Sequence, residues 1–348
     1  MKGYWILAIW LLGFGWAQDL VPVKLQLKWF PQAQFAGYLV AQQKGFYAQE
    51  GLEVTLLPTG DQSPVQTVMA GAADFGTTWM ADLLTAREKG LPVVHLAQIF
   101  QDSGFALVAL KSSGITDPCQ IAGKKVGVWP AGNEYPVLAL LARCGLSSSL
   151  DRQASQPQVQ IVTYPFDPAL VFPKQVDLVS AMTYNELDQI LGLGYSAEEL
   201  TVFRLSELGI LLPEDLIFSS ERVLQNPNFK KSGLSGAEVA TRLIRASLKG
   251  WDYAVAHQEE TVREYVLPFC GNTCKGSGTR ANALAHQTWQ MAEVAKLYQA
   301  GRPGWLDPAD YQAAVQLLRA QGILKQEPAA AVIDYGPWQA ASGAGVTP

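Results

Sequence analysis

The chain has 348 residues, 49% of them hydrophobic and 16% charged, and a formal net charge of −5. That length is comfortable for two domains, and the apolar content builds packed cores instead of a disordered chain. No basic stripe or Lys/Arg cluster interrupts the mild acidity, which excludes nucleic acid as an expected partner.

The first segment carries compartment information. Lys2 supplies a positive charge, residues 4–16 form an apolar run, and Gly15 and Ala17 place small residues for cleavage after Ala17. The run is short of the ~20 residues a membrane-spanning helix needs. No cysteine near the cleavage point offers a lipid attachment site. Residues 1–17 are therefore expected to be a signal peptide, and the mature chain a periplasmic protein with 25 basic and 31 acidic residues, a net −6.

Strand then alternates with helix. Leu25 and Leu27 alternate with Gln26 and Lys28 in a strand over 23–28, Pro31 closes it, and 33–44 reads as a helix stopped by Gly45. A strand over 52–57 leads to Ser63-Pro64-Val65-Gln66, a capping box with proline at the first helical position. Asp74-Phe75-Gly76 is a short strand, and Thr77-Thr78-Trp79 opens a helix running toward Gly90. Residues 93–100 and 105–110 are rich in β-formers, and the turn-rich stretch 112–118 marks a boundary. A second series has strands at 125–129, 158–163 and 176–181 and helices at 136–144, 167–173 and 184–191, closing near 201–205. The remainder reads as helices around 236–257, 259–266, 280–300 and 308–321 with little strand, packing back onto the first unit.

Such alternation predicts an α/β fold of two lobes joined by two hinge crossings, lobe 1 from 18–111 and 206–348 and lobe 2 from 112–205. The cleft between such lobes is a natural ligand site. Four cysteines allow three pairings. Proximity in sequence favours Cys119 with Cys144 and Cys270 with Cys274, in keeping with export. The histidines nearest the second pair, His257 and His286, lack metal-ligand spacing to it, so no metal is expected.

Candidate binding residues gather where strands empty into helices, the position at which open α/β sheets place ligands. At the first junction Trp29, Phe30, Gln34, Phe35 and Tyr38 surround Pro31. Aromatics at a strand end are ordinarily packing, but amides such as Gln32 and Gln34 in a sealed core need partners. At the second junction Thr77 or Thr78 caps a helix, and Asp82 suits its early turns. That accounts for Asp82 and leaves Trp79 at the helix mouth as a stacking face. The third, Trp129-Pro130-Ala131-Gly132-Asn133-Glu134-Tyr135-Pro136, has the outline of a phosphate cradle without its glycine spacing or lysine. Glu134 repels an anion there, so Asn133 and Glu134 suit a neutral or cationic ligand with N–H donors. At the fourth, Thr183 and Glu186 form a capping box, and Tyr184 and Asn185 again set an aromatic beside polar groups. Pro213-Glu214-Asp215-Leu216, near the second crossing, reads equally as a surface turn or a cleft wall.

Catalytic groups are scarce. His95, His257 and His286 stand apart from these junctions in sequence and read as surface or satisfied core residues. No nucleophile elbow, metal-ligand pair or dinucleotide fingerprint is present. Binding, with no cofactor, is the expectation.

These residues carry a family resemblance. Residues 25–38, Lys44-Gly45-Phe46-Tyr47 with Glu50-Gly51-Leu52, Gly132-Asn133-Glu134-Tyr135 and Met182-Thr183-Tyr184-Asn185-Glu186 resemble the thiamine-pyrimidine-precursor binding proteins of bacterial ABC importers. The resemblance spans roughly residues 23–320. It implies a monomeric type II periplasmic binding protein that closes on a substituted aminopyrimidine and docks on the transmembrane subunits of an ABC permease. A related branch binds riboflavin. The implied site has Trp29, Tyr38, Trp79 and Tyr184 as stacking faces, Glu134 and Glu186 as acceptors, and Gln34, Asn133 and Asn185 as orienting amides. The same superfamily includes a fungal enzyme that builds the pyrimidine from pyridoxal phosphate and its own histidine. Its active-site Lys and His match Thr78 and Asp82 here, and its cysteine cluster is missing, so the enzyme reading fits poorly.

Overall fold

The computed structural model describes residues 19–343 apart from 131, 152, 153 and 166, and the expected signal peptide lies outside them. Ten strands are defined: β1 Val21–Gln26, β2 Leu52–Leu57, β3 Phe75–Thr78, β4 Val93–Gln98, β5 Phe105–Leu110, β6 Lys125–Val128, β7 Gln160–Thr163, β8 Leu178–Met182, β9 Leu200–Arg204 and β10 Leu216–Ser220. They form two five-stranded sheets, ordered β2-β1-β3-β10-β4 and β7-β6-β8-β5-β9. In the first, β1 runs parallel to β2 and β3, while β10 is antiparallel to β3 and β4. In the second, β6 runs parallel to β7 and β8, while β5 is antiparallel to β8 and β9. Each sheet therefore receives its fourth strand from chain that has just crossed from the other. This is the expected two-lobed α/β architecture with two crossings.

Alternation and burial explain the strands. β1 buries Val21, Val23 and Leu25 and turns Pro22 and Lys24 outward. β4 and β10 are buried along their whole length, as strands covered on both faces must be. The Ser63–Gln66 capping box is formed, with both reciprocal hydrogen bonds. The two disulfides pair Cys119 with Cys144 and Cys270 with Cys274, as proximity suggested.

Two expectations are corrected. The boundary placed at 112 falls too late: β5 pairs Phe105 with Met182 and Ala106 with Arg204, so the first crossing is 99–104. The turn after β5 marks the end of a strand, not a change of sheet. The later chain carries little strand, as expected, and its strand β10 inserts between β3 and β4. The helix expected over 167–173 is only a 3-10 turn, Pro168–Leu170, since prolines at 168 and 173 withhold backbone donors.

Two helices brace the first sheet beside the crossings. Gly236–Ala256 opens with a Ser235–Glu238 capping box and packs on Ala36–Gln43. Their backbones approach through glycines. A Cβ on Gly250 would lie 2.1 Å from the Gly37 carbonyl oxygen, and one on Gly37 would lie 2.1 Å from the Trp251 ring. This approach seats Trp251, fully buried, edge-on against Tyr38 and Phe100 and stacked on Tyr298. Gly250→Ala is expected to destabilise the fold by about 1–3 kcal/mol, because the obstructing atoms are backbone and cannot yield. Urea unfolding measures it, and an unchanged midpoint would refute the close-packing account.

Candidate functional site

Four strand-to-helix junctions and both crossings converge on one buried polar cluster. At the first junction Gln34 is buried; its side-chain N–H donates to Asp215 Oδ2 at 2.7 Å, and its oxygen accepts from Gln32 at 3.0 Å. Asp215 belongs to the second crossing and Gln34 to the 3-10 turn Ala33–Phe35 that follows β1, so this bond joins segments 181 residues apart. Asp215 Oδ1 is buried without a hydrogen-bond partner, as are the Tyr38 hydroxyl and the Trp79 indole N–H.

The cluster's electrostatics gather the aromatics around Asp215. Burial, then the Asp215 charge, push the hydroxyls of Tyr38 and Tyr184 well above the usual tyrosine range. The Asp215 carboxyl is itself raised to about 6 by burial, against the opposing influence of Gln34, Lys28 and the Trp79 indole. The indole is thus near enough to favour the carboxylate while outside hydrogen-bond geometry. Asp215 also has a φ of +50°, a left-handed backbone that aspartate tolerates better than most residues.

Glu214, next in the chain, faces the other way. Its carboxyl accepts from the Ser103 hydroxyl and from the Gly104 N–H at 3.2 Å, and its backbone oxygen accepts from Gln98 at 2.6 Å. Ser103 and Gly104 lie in the first crossing, so one side chain ties the two crossings together. Burial raises Glu214 to about 8.

Beside Asp215, Lys28 reaches over the Trp79 ring, 4.4 Å from its centre, and pairs with Asp82 at 2.5 Å. Thr78 donates to the same Asp82 oxygen at 3.1 Å. The third junction closes on this pair from the second lobe: a Cβ on Gly132 would lie 2.7 Å from Asp82 Oδ1, and the glycine has a φ of +96°. Glu134 accepts from the Gly132 N–H at 2.8 Å, and the Asn133 amide donates to the Pro130 oxygen at 2.8 Å.

At the fourth junction Tyr184 is buried edge-on to Phe100, which in turn meets Trp251. The capping box expected between Thr183 and Glu186 is not formed. Glu186 instead accepts from the Met182 N–H at 3.0 Å and from the Asn185 amide at 2.6 Å, while the Thr183 hydroxyl has no partner. Burial raises Glu186 to about 7.

The structure therefore draws Gln34, Tyr38, Trp79 and Tyr184 around Asp215, with Asn185 and Glu186 on the fourth junction. Trp29 stands half-buried past the end of β1, edge-on to Phe30. Asn133 and Glu134 bond within their own loop opposite Asp82. Sequence reading left Asp215 undecided; it placed a helix around 280–300, observed as Ala283–Gln299, but did not see that its buried polar residues link two junctions. Its Gln287 and Gln290 oxygens accept from the Ala33 and Gln34 N–H groups, and its Trp289 donates to the Thr183 oxygen. His286 is not remote from the junctions as expected, since its ring lies 3.0 Å from Asn185 Oδ1. The available signal for Asp215 was an acidic pair set inside the apolar run Leu211–Phe218. A groove of about 360 Å³ between Tyr311, Glu327 and Tyr335 contains none of these residues.

Residues 32–261 match the family model described as NMT1/THI5 like. The chain belongs to that family. Among its relatives, the formylaminopyrimidine-binding protein of Halalkalibacterium halodurans is 24% identical over 247 residues, 70% of each chain. The riboflavin-binding protein RibY of Chloroflexus aurantiacus is 29% identical over 313 residues, 88% of this chain and 82% of its own. A 4-amino-5-hydroxymethyl-2-methylpyrimidine phosphate synthase of Saccharomyces cerevisiae is 24% identical over 246 residues, 69% of each chain. Among solved structures, a periplasmic sulfonate-binding protein from Methylobacillus flagellatus superposes with a TM-score of 0.61 at 16% identity, covering 94% of this chain and 95% of its own. A Candida albicans protein described as having the generic periplasmic binding protein fold gives 0.60 at 15% identity, covering 93% and 95%. This family member thus has the periplasmic binding protein fold. Among its described residues no helix is long and apolar enough to cross a membrane.

Three of the buried carboxyls, those raised by burial, give stability a pH dependence with a definite sign. Glu214, Glu186 and Asp215 stand at about 8, 7 and 6, above their ordinary 4.5, 4.5 and 3.8. The folded chain holds protons that the unfolded chain has lost, so stability falls as pH rises between roughly 4 and 8. Each group contributes a slope of up to about 1.4 kcal/mol per pH unit while it titrates. Urea unfolding at pH 5 and pH 8 is expected to show this loss, and Glu214→Gln, which cannot ionise, to reduce it. An equal slope in the variant would remove Glu214 from the account.

Proposed function

We propose that this protein is the extracytoplasmic substrate-binding component of an ABC importer, capturing an aminopyrimidine precursor of thiamine between its lobes and delivering it to the permease. The observation that carries this reading is Asp215: a carboxyl oxygen without a partner, buried beside Trp79, Tyr38 and Tyr184. An aminopyrimidine presents an amino N–H next to a ring nitrogen. A carboxyl answers both, one oxygen accepting from the amino group while the other shares a proton with the ring nitrogen. A carboxyl at about 6 is suited to hold or give that proton near neutrality. Aromatic faces around it add about 0.5–1.5 kcal/mol per pair beyond area burial. Glu186 supplies a second acceptor, and the close approach of Gly132 to Asp82 keeps water out, which strengthens the polar contacts.

A second reading is favoured by the extent of the riboflavin-binding relative, which matches more of the chain than the aminopyrimidine-binding one. In that case Asp215 accepts from the imide N–H of the flavin ring. Synthase chemistry finds less support. Thr78 and Asp82 stand at the positions that the resemblance matches to the enzyme's Lys and His; they are bonded to each other, and Asp82 also pairs with Lys28.

Calorimetric titration with 4-amino-5-hydroxymethyl-2-methylpyrimidine, its formylamino analogue, riboflavin and thiamine separates these readings. An aminopyrimidine is expected to bind most tightly and to be recovered unchanged. Asp215→Asn keeps the tolerated backbone and the bond to Gln34 but removes the shared proton, and should weaken binding at least about tenfold. Riboflavin as the tightest ligand would install the second reading, and product formation would overturn both.

A further inference from the structure

His286 is buried on the helix Ala283–Gln299, 1% exposed, with an acceptor facing each ring nitrogen. Nδ1 lies 2.7 Å from Asp188 Oδ2, and Nε2 lies 3.0 Å from Asn185 Oδ1. The orientation of the Asn185 amide is set independently. Its nitrogen donates to Glu186 Oε1 at 2.6 Å, and its oxygen also faces the Gln290 amide nitrogen at 3.4 Å. Turning that amide over would set its oxygen against the Glu186 carboxyl and its nitrogen against the Gln290 donor. Asp188, 1% exposed, stands between the His286 ring and the guanidinium of Arg280. The cluster's other carboxyl is Asp167, whose charge is felt at Glu186 and which accepts from Ser277 at 3.4 Å.

We propose that His286, anchored by Asp188, is a positioning residue of the ligand site: it donates from both ring nitrogens and so holds the Asn185 amide in the orientation that aims Glu186. The ring bonds Asp188 and Asn185 and acts through Asn185. The inference deepens the binding reading above and rests on it for its effect on affinity, but not for the state of the ring. A ring bare at Nε2 would place its lone pair against the Asn185 oxygen, a contact the amide would escape by flipping. The helix thereby fixes the fourth junction with His286 and the first with Gln287 and Gln290.

Two measurements test it. In protein labelled with ¹⁵N-histidine, assigned by replacing each of the three histidines in turn, the His286 ring is expected to show two N–H groups without any ligand. A single N–H would overturn the proposal whether or not the protein binds a heterocycle. In titrations with the aminopyrimidine, His286→Leu should weaken binding about tenfold, and little further once Glu186→Gln is present, because both act on one carboxyl. His286→Gln keeps a donor for Asn185 and should stay within about threefold of the native protein. It also serves as the probe if the leucine variant does not fold. Losses that simply add, or equal weakening by the leucine and glutamine variants, would reduce His286 to a packing residue. A native protein that binds none of the heterocycles sinks the importer reading, and the ring signals then decide this one alone.

Discussion

A carboxyl group taken out of water must be paired, hydrogen-bonded or protonated, and three such groups sit where the two sheets meet. The cost of leaving one unanswered is several kcal/mol, so their partners are constrained as tightly as any core residue. Glu214 is answered by the first crossing, Asp215 by the first junction, and Glu186 by the fourth. The crossings and these junctions therefore share neighbouring buried carboxyls. A guest that engages Asp215 acts one residue from the carboxyl that holds the crossings together, and so binding and lobe geometry share a single short segment.

The sheets and the junctions were legible because they depend on local signals. Periodicity of two gives way to a helix at Pro31, at Trp79 and at Pro136, and a parallel sheet places its ligands at such changes. What was hidden depended on pairing across long separations. β5 looks like the last strand of the first unit until its partners are known, and β10 follows an acidic pair that also suits a surface turn. The helix carrying His286, Gln287 and Gln290 was legible as a helix but not as a buried polar element. Amides and an imidazole on a helix read as a solvated face unless something shows that both sides are covered. Thr183 and Glu186 illustrate the opposite error, a motif with correct spacing whose acceptor bonds elsewhere.

The family includes proteins named for binding and proteins named for synthesis, and the fold does not distinguish them. Here Thr78, Asp82 and Lys28 form a set of charges and hydroxyls beside the Trp79 ring. Such a set neutralises its own charge and stiffens the aromatic wall beside it.

The insertion of β10 has a consequence for how the chain is made. β3 and β4 are neighbours in sequence but not in the sheet, and the strand that separates them is encoded after the whole second sheet. During synthesis the first lobe waits, with two strand edges open, while the second sheet, from Phe105 to Arg204, is completed. The first lobe therefore cannot close its sheet early on its own.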